Sequence, residues 1–141
     1  MKEFCYPAKV THHNDDGEYY TIDFPDFTYC FSDGETLEET LKNGREALTG
    51  ILKCMIEADE TIPTPSKLTG KDIHYISPDK SVIFALELKM IRLAKGITQK
   101  EIADMLGIKY QQYQKYENPA KANPTLKTIQ KFEKVLQVNL I

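Results

Sequence analysis

The sequence predicts an α+β chain in two parts, a β-β-β-α-β unit over residues 1–76 and an all-helical unit over residues 77–141. Three observations carry that expectation. Strand-like runs rich in aromatic and β-branched residues occur only before residue 77, and helical apolar stripes alone follow it. Ser77-Pro78-Asp79 combines a cap hydroxyl, a proline suited to a first helical turn and an acid suited to a positive helix end. Charge divides at the same place. Residues 1–77 hold seven Lys and Arg against fifteen Asp and Glu, a net of −8, and residues 78–141 hold eleven against six, a net of +5. The whole-chain value of −3 conceals this asymmetry. A basic half suits phosphates, and an acidic half suits a basic protein.

In the first unit, residues 3–11 (EFCYPAKVT) and 18–24 (EYYTIDF) read as a hairpin about the polar HHNDDG. Tyr20, Ile22 and Phe24 then share one face, opposite Tyr19, Thr21 and Asp23. A short third strand is expected at Thr28–Phe31, closed by Asp33-Gly34. Thr36-Leu37-Glu38-Glu39 fits a capping box, so a helix begins there. Leu37, Leu41, Leu48, Ile51, Leu52, Met55 and Ile56 form its apolar stripe, which packs on the sheet. Residues 59–70, with two prolines in polar company, read as a loop, and 71–76 (KDIHYI) as a fourth strand.

The second unit opens with a helix from Ser81 to Gly96, its stripe running through Val82, Ala85, Leu86, Leu88, Ile91, Leu93 and Ala94. Thr98-Gln99-Lys100-Glu101 repeats the capping-box pattern and opens a second helix, stopped by Gly107. A third helix spans about Lys109 to Glu117, with Tyr113 and Tyr116 turned inward, and Asn118-Pro119 ends it. Thr125 to Leu136 makes a fourth through Leu126, Ile129, Phe132, Val135 and Leu136.

TQKEIADMLGIKYQQYQKYENP resembles the helix-turn-helix of the Cro/repressor (XRE-type) family, in which the second helix of the motif lies in the DNA major groove. The resemblance implies that Gln99 clamps a phosphate and that Tyr110, Gln111 and Lys115 face the bases. Lys109 and Gln112 would lie beside them, at or near the backbone. A glutamine amide both donates and accepts toward adenine, and a lysine donates to guanine acceptors. The chain departs from the family pattern at Lys109, where a Ser or Thr normally caps the recognition helix. Lysine accepts no bond from the orphan amides.

The amino-terminal half carries Tyr6-Pro7-Ala8, Gly17 with Tyr19-Tyr20, Phe24-Pro25-Asp26, Gly34-Glu35-Thr36-Leu37-Glu38-Glu39, Ala47-Leu48 and Ile62-Pro63-Thr64-Pro65-Ser66. That order of motifs resembles the HicB antitoxin family. The resemblance implies a partial ribonuclease-H-like fold and a HicA-type partner, a small toxin that cleaves messenger RNA through a histidine. Operator double-stranded DNA is the second implied partner, and a homodimer or a dimer of dimers the expected assembly. The chain departs from the family pattern after Phe-Pro-Asp, where Thr28-Tyr29 replaces the usual Pro-Gly of the local turn. The rival reading is a stand-alone transcription regulator whose first domain senses a small molecule.

Enzyme chemistry finds little support in the residues. Asp23, Asp26 and Asp33 would be the carboxylates of a metal-dependent nuclease, but they occupy a strand end and turns without catalytic spacing, so surface and turn roles are expected. His12-His13 reads as polar turn residues and His74 as structural. No phosphate-binding glycine loop, nucleophile elbow or zinc spacing occurs, so no cofactor or metal is expected. Cys5, Cys30 and Cys54 form neither a C-x-x-C pair nor a disulfide framework, and no apolar run reaches the length of a signal peptide or membrane span. A soluble, cytoplasmic, non-enzymatic protein is the expectation.

Overall fold

The computed structural model describes residues 4–140. Its elements run β1 (Tyr6–His13), β2 (Tyr19–Asp23), β3 (Phe31–Gly34), α1 (Leu37–Glu57), β4 (Ile73–Ile76), α2 (Lys80–Ala94), α3 (Gln99–Leu106), α4 (Tyr110–Tyr116) and α5 (Leu126–Leu136). The chain divides into two compact units at Asp79–Lys80. The element order is that expected for an α+β chain of β-β-β-α-β followed by helices. Glu3, which begins the expected first strand, lies outside the described residues.

In the first unit the strands form one antiparallel sheet in the order β3-β2-β1-β4. Val10 pairs with Ile22 and Ala8 with His74, and directly opposed residues share a face. Tyr6, Ala8, Val10 and Ile22 are buried. Helix α1 covers this face, with Thr40, Gly44, Leu48 and Leu52 buried at four-residue spacing. Two glycines set the closeness of that packing. A Cβ on Gly44 would stand 2.6 Å from Ile22 Cδ1, and one on Gly34 would stand 2.8 Å from the Thr40 backbone nitrogen. At its start, the Glu39 N–H donates to Thr36 Oγ1 at 3.1 Å, as a capping threonine should.

Several local expectations are corrected. The third strand begins at Phe31, not Thr28, because residues 25–29 form a turn in which Tyr29 has φ 60°. That left-handed region costs a non-glycine residue roughly 1–2 kcal/mol, so Tyr29 occupies a conformation that glycine would take freely. His12 and His13 are not turn residues but the end of β1, each stacked on its cross-strand neighbour, Tyr20 and Tyr19, with ring centroids 4.6 Å apart. Ser77 stands three residues before α2, too far to cap it, and its Oγ lies 2.8 Å from Cys5 Sγ. Leu37 and Leu126, the first residues of their helices, remain exposed.

The 59–70 segment is a loop as expected, and side chains of the sheet unit fix it. The Tyr6 hydroxyl donates to the Pro63 carbonyl at 2.7 Å, and the Tyr75 hydroxyl donates to the Leu68 carbonyl at 2.7 Å while accepting from its N–H at 2.9 Å. Asp26 accepts from the Ser66 N–H at 2.9 Å and also from its hydroxyl.

The second unit packs α2, α3, α4 and α5 about Phe132, whose ring meets Tyr116 at 5.1 Å, Phe84 at 6.2 Å and Tyr113 at 6.3 Å. Leu88, Ile102, Leu106 and Leu136 complete the core. Leu93 and Ala94 face solvent instead, and Arg92 is the buried residue at that end of α2.

Candidate nucleic-acid interface

Helix α3 starts with a complete capping box. The Glu101 N–H donates to Thr98 Oγ1 at 3.0 Å, and the Thr98 N–H donates to Glu101 Oε1 at 3.3 Å. Gly107 ends the helix at φ 70°, and the Ile108 N–H reaches back to the Ala103 carbonyl at 3.0 Å. The chain thereby turns within two residues. Lys109 caps α4 without a side-chain hydrogen bond, as its chemistry requires.

Helix α4 buries Tyr113 and half-buries Tyr116, which leaves Tyr110, Gln111, Gln112, Gln114 and Lys115 exposed. Gln111 and Lys115, four residues apart, lie one turn above the other. They line a concavity of about 410 Å³ together with Gln114, Asn118 and Lys121. Lys121 and Asn118 belong to the loop after α4 and were not among the expected contact residues. Only the chain's path beyond the helix brings them beside Gln111.

A buried polar network fixes α4 to the rest of the unit. Glu117, 6% exposed, accepts from Arg92 Nε at 2.7 Å and Arg92 Nη2 at 3.1 Å. It also accepts from the Tyr113 hydroxyl and from Gln99 Nε2 at 3.1 Å. Arg92, 8% exposed, spends Nη1 on the Ile97 carbonyl at 3.0 Å. The hydrogen bonds that Arg92 donates to Glu117 raise the Arg92 pKa, and burial, reinforced by the same carboxylate, raises that of Tyr113. Both groups therefore hold their protons at every physiological pH. One acid thus ties α2, the start of α3 and the end of α4 together. It also holds the Gln99 amide, half-buried at the α3 N-terminus, by one of its two N–H groups, leaving the second for an outside acceptor. Sequence reading singled out Gln99 but neither Arg92 nor Glu117. A charged residue on the apolar stripe of α2 was the available signal.

The residues weighed for metal chemistry stand apart from one another. Asp26 is engaged by Ser66, the Asp33 carbonyl accepts from Asn43 Nδ2 at 2.8 Å, and His12 Nε2 lies 3.0 Å from Glu18 Oε1. Among the described residues no three His, Cys, Asp or Glu side chains gather as metal ligands, and no helix is long and apolar enough to cross a membrane.

Comparison with known proteins matches both halves. A family model described as a HicB-like antitoxin of bacterial toxin-antitoxin systems covers residues 6–100, and a helix-turn-helix model covers residues 88–141. Antitoxin HicB of Escherichia coli (strain K12) is 32% identical over 102 residues, 72% of this chain and 72% of that protein. The SPbeta prophage-derived uncharacterized HTH-type transcriptional regulator YonR of Bacillus subtilis (strain 168) is 46% identical over 57 residues, 40% of this chain and 52% of that one. The crystal structure of the N-terminal domain of Burkholderia pseudomallei antitoxin HicB is 30% identical and aligns with 52% of this chain and 98% of that one at a TM-score of 0.43. With a HicB-like model over two thirds of its length and a helix-turn-helix closing it, the chain belongs to the HicB-like antitoxin family and carries a helix-turn-helix DNA-binding domain.

Proposed function

We propose that this protein is the antitoxin of a type II toxin-antitoxin pair, neutralising a HicA-type messenger-RNA-cleaving toxin by direct binding through residues 1–76. Residues 77–141 repress its own operon by binding operator DNA. It acts in the cytoplasm as a non-enzymatic regulator, as a homodimer or a dimer of dimers. The carrying observation is the pairing of a −8 sheet unit with a +5 helix-turn-helix unit within a HicB-like chain. An acidic surface competes with RNA for the basic side chains of a ribonuclease, and a basic helical unit meets phosphates.

On the DNA side, Tyr110, Gln111 and Lys115 read bases. Gln99, with the N–H that Glu117 leaves over, clamps a phosphate, and Lys109 and Gln112 contact the backbone beside them. Operators of such dimers are near-palindromic, with half-sites set by the spacing of the two recognition helices. The test is fluorescence anisotropy with duplexes from upstream of the gene and with scrambled controls. Gln111→Ala should relax base preference by roughly 1–3 kcal/mol at one position of each half-site, whereas Gln99→Ala should weaken all duplexes alike. Equal losses in both variants on every duplex would refute the role assignment. Co-expression with the neighbouring reading frame tests the other half. Absence of a complex and of relief from growth arrest would favour a stand-alone regulator.

A further inference from the structure

In and just before the edge strand β3 stand the two most exposed large hydrophobic residues described in the acidic unit. Phe31 is 63% exposed there, and Tyr29, two residues earlier, is 87% exposed. Exposed rings scattered singly need no account. Here, however, Tyr29 is held at φ 60°, which glycine would accept without strain, and among the described residues no hydrogen bond or ring contact of its side chain offsets that strain. Among the described residues β3 has no strand on its outer side, and such an edge is usually covered or blunted. The face is settled by register. Ile22 points to α1, so its neighbour Asp23 points away, and Phe31, directly opposite Asp23, lies on the open face with it. Asp33 follows on the same face of β3, and Glu35 is exposed just beyond. Lys9, on the other side of Asp23, is the cation of that row.

We infer that the open-face edge at Tyr29 and Phe31, flanked by Asp23, Asp33 and Glu35, is the docking site for the basic ribonuclease partner. The inference rests on the antitoxin reading. The occupant follows from charge and ring chemistry together. The unit carries −8, aromatic faces attract guanidinium and ammonium groups, and neighbouring carboxylates pair with them. A surface built to hold RNA presents such cations. Large rings flanked by acids also suit the centre of an interface, where a few residues supply most of the affinity. Tyr29 trades local strain for a projecting ring that glycine would lack.

The test uses the full-length chain and the purified product of the reading frame beside its gene, with affinity measured at fixed salt. Tyr29→Gly removes the ring while relieving the backbone, so its melting temperature should hold or rise. Phe31→Ser removes the second ring, and Lys53→Ser on the outer face of α1 is the control. Each edge variant should bind about thirty-fold or more weaker, the loss typical of a hot-spot residue, with the control unchanged. If wild type and both edge variants bind within threefold of one another, this docking site is wrong and the antitoxin reading stands. If wild-type protein does not bind the neighbour's product at all, both fall. Sedimentation of the free chain gives a further outcome. A dimer that Phe31→Ser converts to monomer, with partner affinity intact, assigns the edge to a second copy and overturns the proposal.

Discussion

Replacing Glu117 with alanine should be among the most damaging single changes in the helical unit. The carboxylate is 6% exposed and accepts from Arg92 twice, from Gln99 and from Tyr113. Removing it strands a guanidinium that is itself 8% exposed. Breaking a buried pair from one side costs about 3–5 kcal/mol, because the remaining charge keeps its desolvation penalty and loses its partner. A unit of this size has roughly 3–9 kcal/mol of stability at typical values per residue, so the variant should lose about a third of it or more. Glu117→Gln keeps shape and one acceptor and should lose less, about 1–3 kcal/mol. Removing both charges, as Arg92→Met with Glu117→Leu, should also cost less than Glu117→Ala alone, since no orphan ion remains. Hydrogen exchange of the full chain reads this locally. Peptides from α3 and α4 should exchange roughly a hundredfold faster in Glu117→Ala, while sheet peptides serve as the internal reference. Less than a tenfold change, or a double variant no better than the single one, would show that Glu117 does not hold the unit together.

Gly44→Ala should destabilise the sheet unit by about 1–3 kcal/mol, because the added methyl meets Ile22 at 2.6 Å; Gly50→Ala, with open space around it, should instead stabilise by up to about 1 kcal/mol in thermal melts. Stability should also fall on the alkaline side. Burial, aided by Asp26, pushes the Tyr6 phenol from 10.0 up to about 12, so between those values the unfolded chain releases a proton that the folded one keeps. The contribution is whole below pH 10 and lost as pH rises toward 12, amounting to about 2–3 kcal/mol, and denaturant titrations of Tyr6→Phe should show a flatter profile. Burial beside Asp23 likewise pushes the Cys30 thiol up to about 11, so alkylation at pH 8 should label exposed Cys54 rapidly and Cys30 only on unfolding.

Much of the protein was legible because the informative signals are local. Capping residues at Thr36 and Thr98, the stop at Gly107 and the period of apolar residues place most helices within a residue or two, since each acts over one turn of chain. The Tyr29 turn shows where local reading fails. Thr28-Tyr29 has the composition of a strand, and the backbone hydrogen bonds from Phe24 N to Cys30 O and from Phe27 N to Phe24 O close it as a turn. His12 and His13 read as turn residues for the same reason, their strand role depending on tyrosines that arrive from β2.

By itself, then, the sequence determined the order of elements, the charge division and the exposed face of the recognition helix, all of which depend on neighbours within a few positions. Only tertiary structure decided that Arg92, Gln99, Tyr113 and Glu117 meet, that Gly34 and Gly44 admit α1 against the sheet, and that Phe31 pairs with Asp23 while Tyr29 turns the chain ahead of it. Arg92 with Glu117, Gln99 with Glu117 and Ile22 with Gly44 are far apart in the chain, and spacing along a sequence has no term for the distance between segments that meet only after folding.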